Sequence, residues 1–414
     1  MTQGGAGLNI LSNTVELGGS CLSAFNDLEV MPLTPLIQLD FISGLNVQTS
    51  TTTISGVAAG TAGSVTANAS RLRMSCGTKS DGSIVFQSRK PAKYRPGQGI
   101  TARFTAAFDL GFSNNYQIVG MGNDVDGYFF GYNGTSFGIL HRNNSVDTWT
   151  PQANWNQDAC AGAGASGFTW DTTKGNVMMI KYSYLGYGNI KFFVQNQATG
   201  AWILCHVIKY TNSTQTIQLT NPSIPFWAQT KNTGNVTDTI MYVGSVGIFL
   251  SGVRSYTGNP RWATTNNKAA TTTETNIFTL KNCTTYNGFV NRGIIRLNLL
   301  TFSSSANTGI ATLRMRVNAT LNGSPSFTTI NGTTADNGAT ITSGNSVISY
   351  DVAGTTIATG GLVVFNAVTD NPNTIVENIT DLDIFLAPGE TMTFSVESTN
   401  STTAAIAMNW TEDI

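Results

Sequence analysis

The sequence predicts an all-β protein built from two β-sandwiches, a larger one followed by a smaller one. Apolar residues recur at every second position in many short runs, which is the pattern of a strand with one buried face. Turn-forming stretches such as LGYGN, NQATG and KNTGN separate these runs, at about the 8–12-residue spacing typical of a sandwich. Helical periodicity is almost absent. Two stacked sheets would bury the apolar faces of all these strands in one core.

The larger sandwich is predicted to span residues 35–255. In TARFTAAF the apolar residues alternate from Ala102 to Phe108, and in NVMMIKYSY they alternate from Met178 to Tyr184. Each run therefore has one face suited to the core and one suited to another environment.

The smaller sandwich is predicted to span residues 272–414. Alternation returns in the four runs GIIRLNLL, ATLRMRVNA, TMTFSVES and AIAMNW. In the first of these, Ile295, Leu297 and Leu299 share one face of the predicted strand.

Two segments lack this alternation. Residues 256–271 are rich in Asn and Thr and are predicted to be a linker. Residues 1–34 are rich in Gly and lead into VMPLTPLIQLDF, whose two prolines are Pro32 and Pro35, so we expect an extended arm that becomes ordered on a partner.

Composition excludes several classes of function. Charged residues make up 11% of the 414-residue chain and the formal net charge is −1, which argues against nucleic-acid binding because that depends on Lys and Arg. A hydrophobic content of 41% with 10% aromatic residues supplies enough apolar area to fold the chain.

Cysteine spacing and hydropathy exclude others. The five cysteines are widely scattered without a C-x-x-C pair, so neither a zinc site nor a dense disulfide scaffold is predicted. No segment approaches the roughly 20 apolar residues of a membrane span. The N-terminal sequence lacks the features of a signal peptide, and none is predicted.

A candidate calcium site lies at Asp124-Val125-Asp126-Gly127. Hard cations bind spaced carboxylates, so Asp124 and Asp126 are its predicted ligands. An EF-hand loop would need a closing Glu at its twelfth position, where Thr135 stands. The alternative is a surface turn capped by Asp. We expect no other cofactor.

A candidate binding surface lies between Asn143 and Trp170. We interpret this segment as a long loop on a rigid sandwich, a common position for recognition residues. Its three tryptophans, Trp149, Trp155 and Trp170, are the predicted contacts, either with a glycan or with another subunit.

The patterns that could indicate catalysis fail on their context. Gly134-Thr135-Ser136-Phe137-Gly138 matches a nucleophile elbow, but that chemistry needs a following helix, and the sequence continues as a strand. Glycoside hydrolysis needs two convergent carboxylates, and no E-x-D-x-x-E is present. We therefore expect no enzymatic activity.

Glycine positions indicate architecture at the same place. Asn133-Gly134 lies between two alternating runs and predicts a β-hairpin turn. Gly131 and Gly138 are predicted to mark positions where a side chain is excluded.

Two long stretches, KYRPGQGITARFTAAFDLGFSNNYQIVGMGNDVDGYFFGYNGTSFGILHR and WDTTKGNVMMIKYSYLGYGNIKFFVQNQATGAWILCHVIKYTNS, resemble virion structural proteins of tailed phages and large DNA viruses. The stretch LAPGETMTFSVESTNSTTAAIAMNWTED is similar to the C-terminal end of the same group. The resemblance covers most of residues 85–255 and 272–414. It implies fibre, spike or tail-associated proteins with a concanavalin-like jelly-roll sandwich.

The resemblance implies a non-enzymatic role in virion structure or in host attachment, for which a host-surface glycan is the candidate partner. It implies a homotrimer, with Ile295, Leu297 or the neighbouring strands near an intersubunit contact, and other virion proteins bound through the N-terminal arm. The alternative is a carbohydrate-binding lectin-like protein or a degenerate glycan-active enzyme.

Overall fold

The computed structural model describes residues 32–253, 258–264, 268–286, 288–305, 309–329, 346–370 and 373–414. These residues form strands and turns with two 3₁₀ helices, Gln152–Asn154 and Thr380–Leu382. Across the described ranges, no helix has the length and apolar character needed to cross a lipid bilayer. The chain divides into two compact units, Met1–Arg254 and Ser255–Ile414. Residues 1–31 of the predicted arm lie outside the described residues.

The first unit contains fifteen strands within its described part. They are β1 (Leu33–Asp40), β2 (Ser50–Ser55), β3 (Ser64–Asn68), β4 (Arg71–Ser75), β5 (Ser83–Ser88), β6 (Ile100–Ala107), β7 (Asn115–Gly122), β8 (Gly127–Asn133), β9 (Ser136–Asn143), β10 (Val146–Pro151), β11 (Asn176–Tyr182), β12 (Ile190–Gln195), β13 (Trp202–Ile208), β14 (Phe226–Asn232) and β15 (Ile240–Ser251).

These strands form two antiparallel sheets. The first has the order β13-β12-β11-β6-β15-β4-β3, with β1 also paired to β15, and the second has the order β10-β9-β8-β7-β14-β5-β2. The chain changes sheet repeatedly, for example from β5 to β6 and from β6 to β7. This is the connectivity of a jelly-roll sandwich.

The main core of the first unit lies between its two sheets, as the alternation predicts. Phe104 and Ile180 from the first sheet and Phe130 from the second are at most 1% exposed and belong to one cluster. Phe130 packs edge to face against Phe192 at 5.3 Å between ring centroids. Each such ring contributes about 1.5–3 kcal/mol by its burial.

The predicted hairpin is confirmed, and the long loop after it is corrected. Asn133 pairs with Ser136, and Gly134 in the turn has φ +61°. The segment from Asn143 was predicted to be a loop, but residues 146–151 form β10, which pairs with β9. Because β10 is an edge strand, its side chains are exposed or only partly buried. Its sequence therefore lacks the alternation of apolar and polar residues that predicts a strand.

The second unit contains sixteen strands within its described part. They are β16 (Asn259–Thr264), β17 (Lys268–Ala270), β18 (Thr275–Asn282), β19 (Thr285–Tyr286), β20 (Phe289–Val290), β21 (Ile294–Ser304), β22 (Ile310–Val317), β23 (Thr320–Leu321), β24 (Thr328–Thr329), β25 (Ile348–Asp351), β26 (Ile357–Thr359), β27 (Leu362–Asp370), β28 (Asn373–Asn378), β29 (Phe385–Leu386), β30 (Thr391–Ser398) and β31 (Thr402–Asp413).

Two six-stranded antiparallel sheets build this unit. One follows β16-β31-β21-β28, with β17 on β31 and β29 on β21, and the other follows β24-β25-β18-β30-β22-β27. The predicted linker, residues 256–271, is corrected, since β16 and β17 lie within it and pair with β31. Edge strands are hydrogen-bonded on one side only and tolerate an Asn- and Thr-rich sequence, so β16 and β17 lack the apolar alternation that predicts a strand.

The core of the second unit gathers the alternating residues predicted for it, with one correction. Ile295 and Leu297 are at most 1% exposed, so their side chains pack inside the unit and only the neighbouring strands named with them are left for the predicted subunit contact. The homotrimer remains a prediction. A register shift between Leu297 and Leu299 turns Leu299 outward and places Leu300 in the core. The predicted fold class, an all-β jelly-roll sandwich followed by a smaller β-sandwich, is confirmed.

Candidate functional site

The second sheet of the first unit has an apolar cluster on the face turned away from the main core. The cluster contains Ile118, Phe129, Leu140 and Trp227 and is flanked by Val85, Tyr116 and Trp149. On β8, Tyr128 and Phe130 point into the main core, so Phe129 between them must point outward.

Strand register aligns this outer face. Trp149 pairs with Leu140, Leu140 pairs with Phe129, and Phe129 pairs with Gly120. Gly120 pairs in turn with Trp227 on β14. One cross-strand row therefore connects five strands and carries aromatic rings at both ends.

The next row of the same face carries no side chain at two positions. Gly131 pairs with both Ile118 and Gly138. A Cβ at Gly131 would lie 1.8 Å from the carbonyl oxygen of Gln117, and one at Gly138 would lie 2.4 Å from that of Thr150. Only glycine fits at these positions, as the sequence predicts.

Arg142 is the central polar residue of the outer face. Its Nε donates to Asp147 Oδ1 at 2.6 Å and its Nη2 donates to Asp147 Oδ2 at 3.0 Å. Its Nη1 donates to the carbonyl oxygen of Asn123 at 2.9 Å, and its guanidinium lies 5.6 Å from the ring centroid of Phe129. A two-bond Arg–carboxylate pair of this kind fixes the orientation of both groups.

Tyr116 completes the network. Its hydroxyl donates to Asp147 Oδ2 at 3.4 Å and accepts from Arg142 Nη2 at 3.4 Å. Burial raises the pKa of Tyr116 well above its ordinary value, so the phenol stays protonated as a donor. Burial tends to lower the pKa of Arg142, but hydrogen bonding and charge pairing with Asp147 outweigh this and raise it.

These residues border a groove of about 350 Å³, here called the outer-face groove. Its lining consists of Tyr116, Asp124, Arg142, Ser145, Asp147, Trp227, Gln229, Lys231 and Thr233. The Asp147 side chain is 42% exposed while that of Arg142 is 10% exposed. Asp147 therefore presents an oriented carboxylate to the groove while its guanidinium partner stays buried.

Two indole N–H groups at this face have no hydrogen-bond partner within the described part of the chain. They are Trp149 Nε1 and Trp227 Nε1. A buried donor without an acceptor costs free energy. This mostly apolar face therefore carries two donors that a ligand acceptor could satisfy.

The structure separates the two predicted calcium ligands. Asp124 is exposed and lines the outer-face groove, whereas Asp126 is fully buried. Asp126 accepts hydrogen bonds from the backbone N–H groups of Thr220 and Asn221 at 2.9 and 3.1 Å. A cation at Asp126 would have to displace these donors. Calcium binding remains a prediction.

The three predicted tryptophans do not form one surface. Trp155 and Trp170 are each 7% exposed and belong to the main core, where their ring centroids lie 5.8 Å apart. Trp149 lies on the other face of the second sheet, where its ring centroid is 6.5 Å from that of Tyr116. Among the three, only Trp149 is next to the outer-face groove, and its role in ligand binding remains a prediction.

Ser136 and His141 do not form a catalytic pair. They are five residues apart on β9 and therefore point to opposite faces. His141 stacks on Tyr128 and its Nε2 lies 2.7 Å from the carbonyl oxygen of Gln218. Burial lowers the pKa of His141, so this ring is a neutral core residue at neutral pH.

The sequence analysis missed Tyr116, Arg142 and Trp227 as site residues. They lie on three different strands, β7, β9 and β14, and only the strand register brings them together. The available signal was Phe129, an aromatic residue that alternation places on the outer face.

No protein-family model and no curated protein matches the chain. Solved structures with some likeness include a cellulose-induced protein, Cip1, at 15% identity and a TM-score of 0.34, covering 51% of this chain and 96% of that one. A VIP36 exoplasmic/lumenal domain bound to Ca²⁺ and Man3GlcNAc is 12% identical with a TM-score of 0.32, covering 53% and 90%. Peanut lectin is 11% identical with a TM-score of 0.32, covering 53% and 100%. At these values the likenesses carry no inference about what this chain binds.

Proposed function

We propose that this protein binds carbohydrate through the outer-face groove and does not cleave it. The observation that carries the proposal is the carboxylate of Asp147, which Arg142 and Tyr116 hold in one orientation while 42% of its side chain remains exposed. A fixed, charged acceptor forms strong hydrogen bonds with hydroxyl groups.

The remaining lining suits a sugar as well. Tyr116 supplies an aromatic ring for the C–H face of a pyranose, while Gln229, Ser145 and Thr233 supply neutral donors and acceptors. Few polar groups placed around an aromatic wall are typical of small-molecule sites.

Charge and size narrow the ligand. The groove has two acidic and two basic side chains, Asp124 and Asp147 against Arg142 and Lys231, so its formal charge is zero and favours an uncharged glycan. Its volume of about 350 Å³ lies near the lower end of the range of ligand pockets, roughly 300–1,000 Å³. We expect a short, neutral oligosaccharide.

The same contacts favour binding without cleavage. Glycoside hydrolysis needs one carboxyl to hand over a proton and a second one to act as nucleophile or base. Both oxygens of Asp147 already accept from Arg142, so neither is free to carry a transferable proton. Asp147 therefore does not suit the role of the acid, and only the exposed Asp124 would be left for it.

Glycan-array binding followed by titration calorimetry tests the proposal. Asp147→Asn keeps the shape but removes the charge, and we expect at least tenfold weaker binding to the best array glycan. Asp171→Asn is the matched control, because Asp171 is an exposed turn residue bonded to Thr173; its affinity should equal that of the unmodified protein.

Two results would contradict the proposal. One is equal glycan affinity for Asp147→Asn and the unmodified protein, which would place the ligand elsewhere. The other is the appearance of new reducing ends when the bound glycan is incubated with the protein, which would show cleavage.

The virion role implied by the sequence resemblance remains a prediction. Glycan binding at the outer-face groove would serve attachment to a host surface. Particle proteomics that finds many copies of this chain with a capsid would support the role, and native mass spectrometry that finds only a monomer would remove the predicted homotrimer.

A further inference from the structure

We propose that Cys160 and Cys205 form an intramolecular disulfide in an oxidising environment, which fastens the segment 155–170 to strand β13. The two Sγ atoms lie 3.6 Å apart, and both side chains are fully buried. A disulfide requires an S–S distance of about 2 Å, so closing the bond needs a shift of less than 2 Å.

A β-bulge places Cys205 for this role. The register of β12 with β13 steps from the pair Phe192–His206 to the pair Phe193–Leu204, which leaves Cys205 without a partner on β12. A bulge residue is re-aimed relative to its strand. Cys205 thereby joins the main core beside Cys160.

The backbone of the facing segment is fixed at the same point. The N–H groups of Gln157 and Asp158 donate to the carbonyl oxygen of Cys205 at 3.2 and 3.1 Å. Cys160 has φ +51°, and its N–H donates to Asp158 Oδ1 at 2.8 Å. The backbone N–H of Trp170 donates to the carbonyl oxygen of Cys160 at 2.8 Å. Residues other than glycine rarely adopt a positive φ. These hydrogen bonds stabilise the unusual backbone conformation of Cys160 and fix its position.

Two other described cysteines have different surroundings. Cys76 Sγ lies 3.0 Å from Thr239 Oγ1, and Cys283 Sγ lies 3.4 Å from Ser349 Oγ. These thiols contact hydroxyl, amide and backbone groups, none of which forms a covalent bond with a thiol. Cys21 lies outside the described residues.

The reaction needs an oxidant, for which glutathione disulfide serves. One cysteine thiolate attacks a glutathione sulfur, the glutathione S–S bond breaks, and one glutathione thiolate leaves. The second cysteine thiolate then attacks the mixed disulfide and releases the second glutathione. Two cysteine thiols are oxidised, and one disulfide is reduced to two thiols. Burial raises the pKa of Cys205, so the exchange is fastest while the chain is still folding.

Peptide mapping gives a direct test. The reduced full-length chain is refolded from urea in a buffer of reduced and oxidised glutathione, and the remaining thiols are then alkylated. Trypsin places each cysteine in a separate peptide, with Cys160 in residues 143–174 and Cys205 in residues 192–209. We expect these two peptides to be linked in the unreduced digest and separate after reduction.

A stability measurement with matched variants gives the second readout. The bond closes a loop between residues 45 apart, so the melting temperature of the oxidised first unit should rise by about 5–10 °C. Cys160→Ser and Cys205→Ser should each lose this increment, while Cys76→Ser should retain it. Cys283→Ser replaces the control if Cys76→Ser does not fold.

Alkylation of both Cys160 and Cys205 after oxidative refolding would overturn the proposal. Linkage of either residue to a different cysteine would overturn it as well. Neither result depends on carbohydrate binding, so this test and the test of the outer-face groove fail separately.

Discussion

The two sandwiches differ in how far the side chains on the outer face of one sheet satisfy each other's hydrogen bonds. In the first unit, the outer face carries an apolar cluster, one buried guanidinium and a half-exposed carboxylate, Asp147. Trp227 adds an indole N–H that has no partner in the described part of the unit. This face keeps unmet hydrogen-bonding capacity beside an open groove.

In the second unit, charged residues close the corresponding face. Glu274 accepts from Arg316 Nε and Nη2 at 2.7 and 2.8 Å, and Arg314 donates to Glu397 at 2.6 Å. The hydroxyl of Ser395 beneath them also donates to Glu274. In the first unit the outer face thus keeps hydrogen-bonding groups for a ligand and is called open. In the second unit the outward side chains bond to each other, and the face is called closed.

The largest effect is expected where the open face depends on glycine. Gly131→Ala should destabilise the first unit by about 3 kcal/mol or more, because the added methyl would lie 1.8 Å from a backbone oxygen and the strands must move apart. Denaturant unfolding followed by peptide-resolved hydrogen exchange would assign the loss to the first unit.

Gly175→Ala is the matched control, because the added methyl group would have no other atom within 4 Å and the φ of Gly175 is not in the left-handed region. It should change the free energy of unfolding of the first unit by less than about 0.5 kcal/mol. Equal effects of the two substitutions would contradict the role given to Gly131.

The closed face should show the next largest effect. Glu274→Gln leaves Arg316 without its charged partner and should cost the second unit about 2–3 kcal/mol. Glu397→Gln, at an acid whose side chain is 42% exposed, should cost about 1 kcal/mol or less. Denaturant unfolding of both variants measures the difference, and equal costs would show that the network does not centre on Glu274.

Acid should weaken the same network. Burial alone would raise the pKa of Glu274, but the hydrogen bonds from Arg316 and Ser395 outweigh it and lower the pKa. A carboxyl with a lowered folded-state pKa stabilises the fold above its unfolded-state pKa of about 4.3. This contribution is lost as pH falls through the folded-state pKa, and Glu274→Gln should lack that loss.

A smaller, pH-dependent effect should separate the two units near neutral pH. The only histidines of the chain, His141 and His206, lie in the first unit, and burial lowers the pKa of each. As pH falls below about 6.5, these two histidines are protonated in the unfolded chain before they are protonated in the fold. The first unit therefore loses stability as pH falls toward their folded-state pKa values.

Melting curves at pH 7.5 and 5.5 test this. The transition of the first unit should fall by a few degrees, and that of the second unit should stay nearly constant. His141→Gln should reduce the shift of the first unit. A shift of equal size in both units would show that groups other than the histidines cause it.

The smallest effect concerns one cation–aromatic contact in each unit. The Arg71 guanidinium lies 3.8 Å from the ring centroid of Tyr242, and Lys281 Nζ lies 5.1 Å from that of Phe327. Arg71→Gln should cost about 0.5–1 kcal/mol, and Lys281→Gln should cost less because the separation is larger. Denaturant unfolding of the two variants ranks them, and the reverse order would contradict this comparison.

Period-two alternation predicted most of the core because side-chain direction follows directly from it. Residues from Ala102 to Phe108 and from Met178 to Tyr182 enter the core as predicted. Alternation failed at Leu299, because a bulge inserts one residue and reverses the faces beyond it. Bulges have no reliable sequence signature, so this error could not be avoided from the pattern.

The candidate site was less predictable than the fold. The sequence predicts Trp155 and Trp170 as binding residues because they lie in a polar segment, yet both side chains belong to the main core of the first unit. Arg142 and Asp147 are five residues apart, and their pairing follows from the β9–β10 register. Trp227 enters the same face from β14, a strand much later in the chain, which no local pattern shows.

Strand β10 has a consequence for how this molecule could be altered. It pairs with β9 alone, and its turn, Asn144-Ser145, has φ +51° and +63°, the conformation of a tight two-residue hairpin. Asp147 and Trp149 therefore lie on a peripheral ribbon, Val146–Pro151. No residue of this ribbon belongs to the main core. Under the proposed function, a designed library confined to this ribbon should change ligand preference while the main core stays as it is.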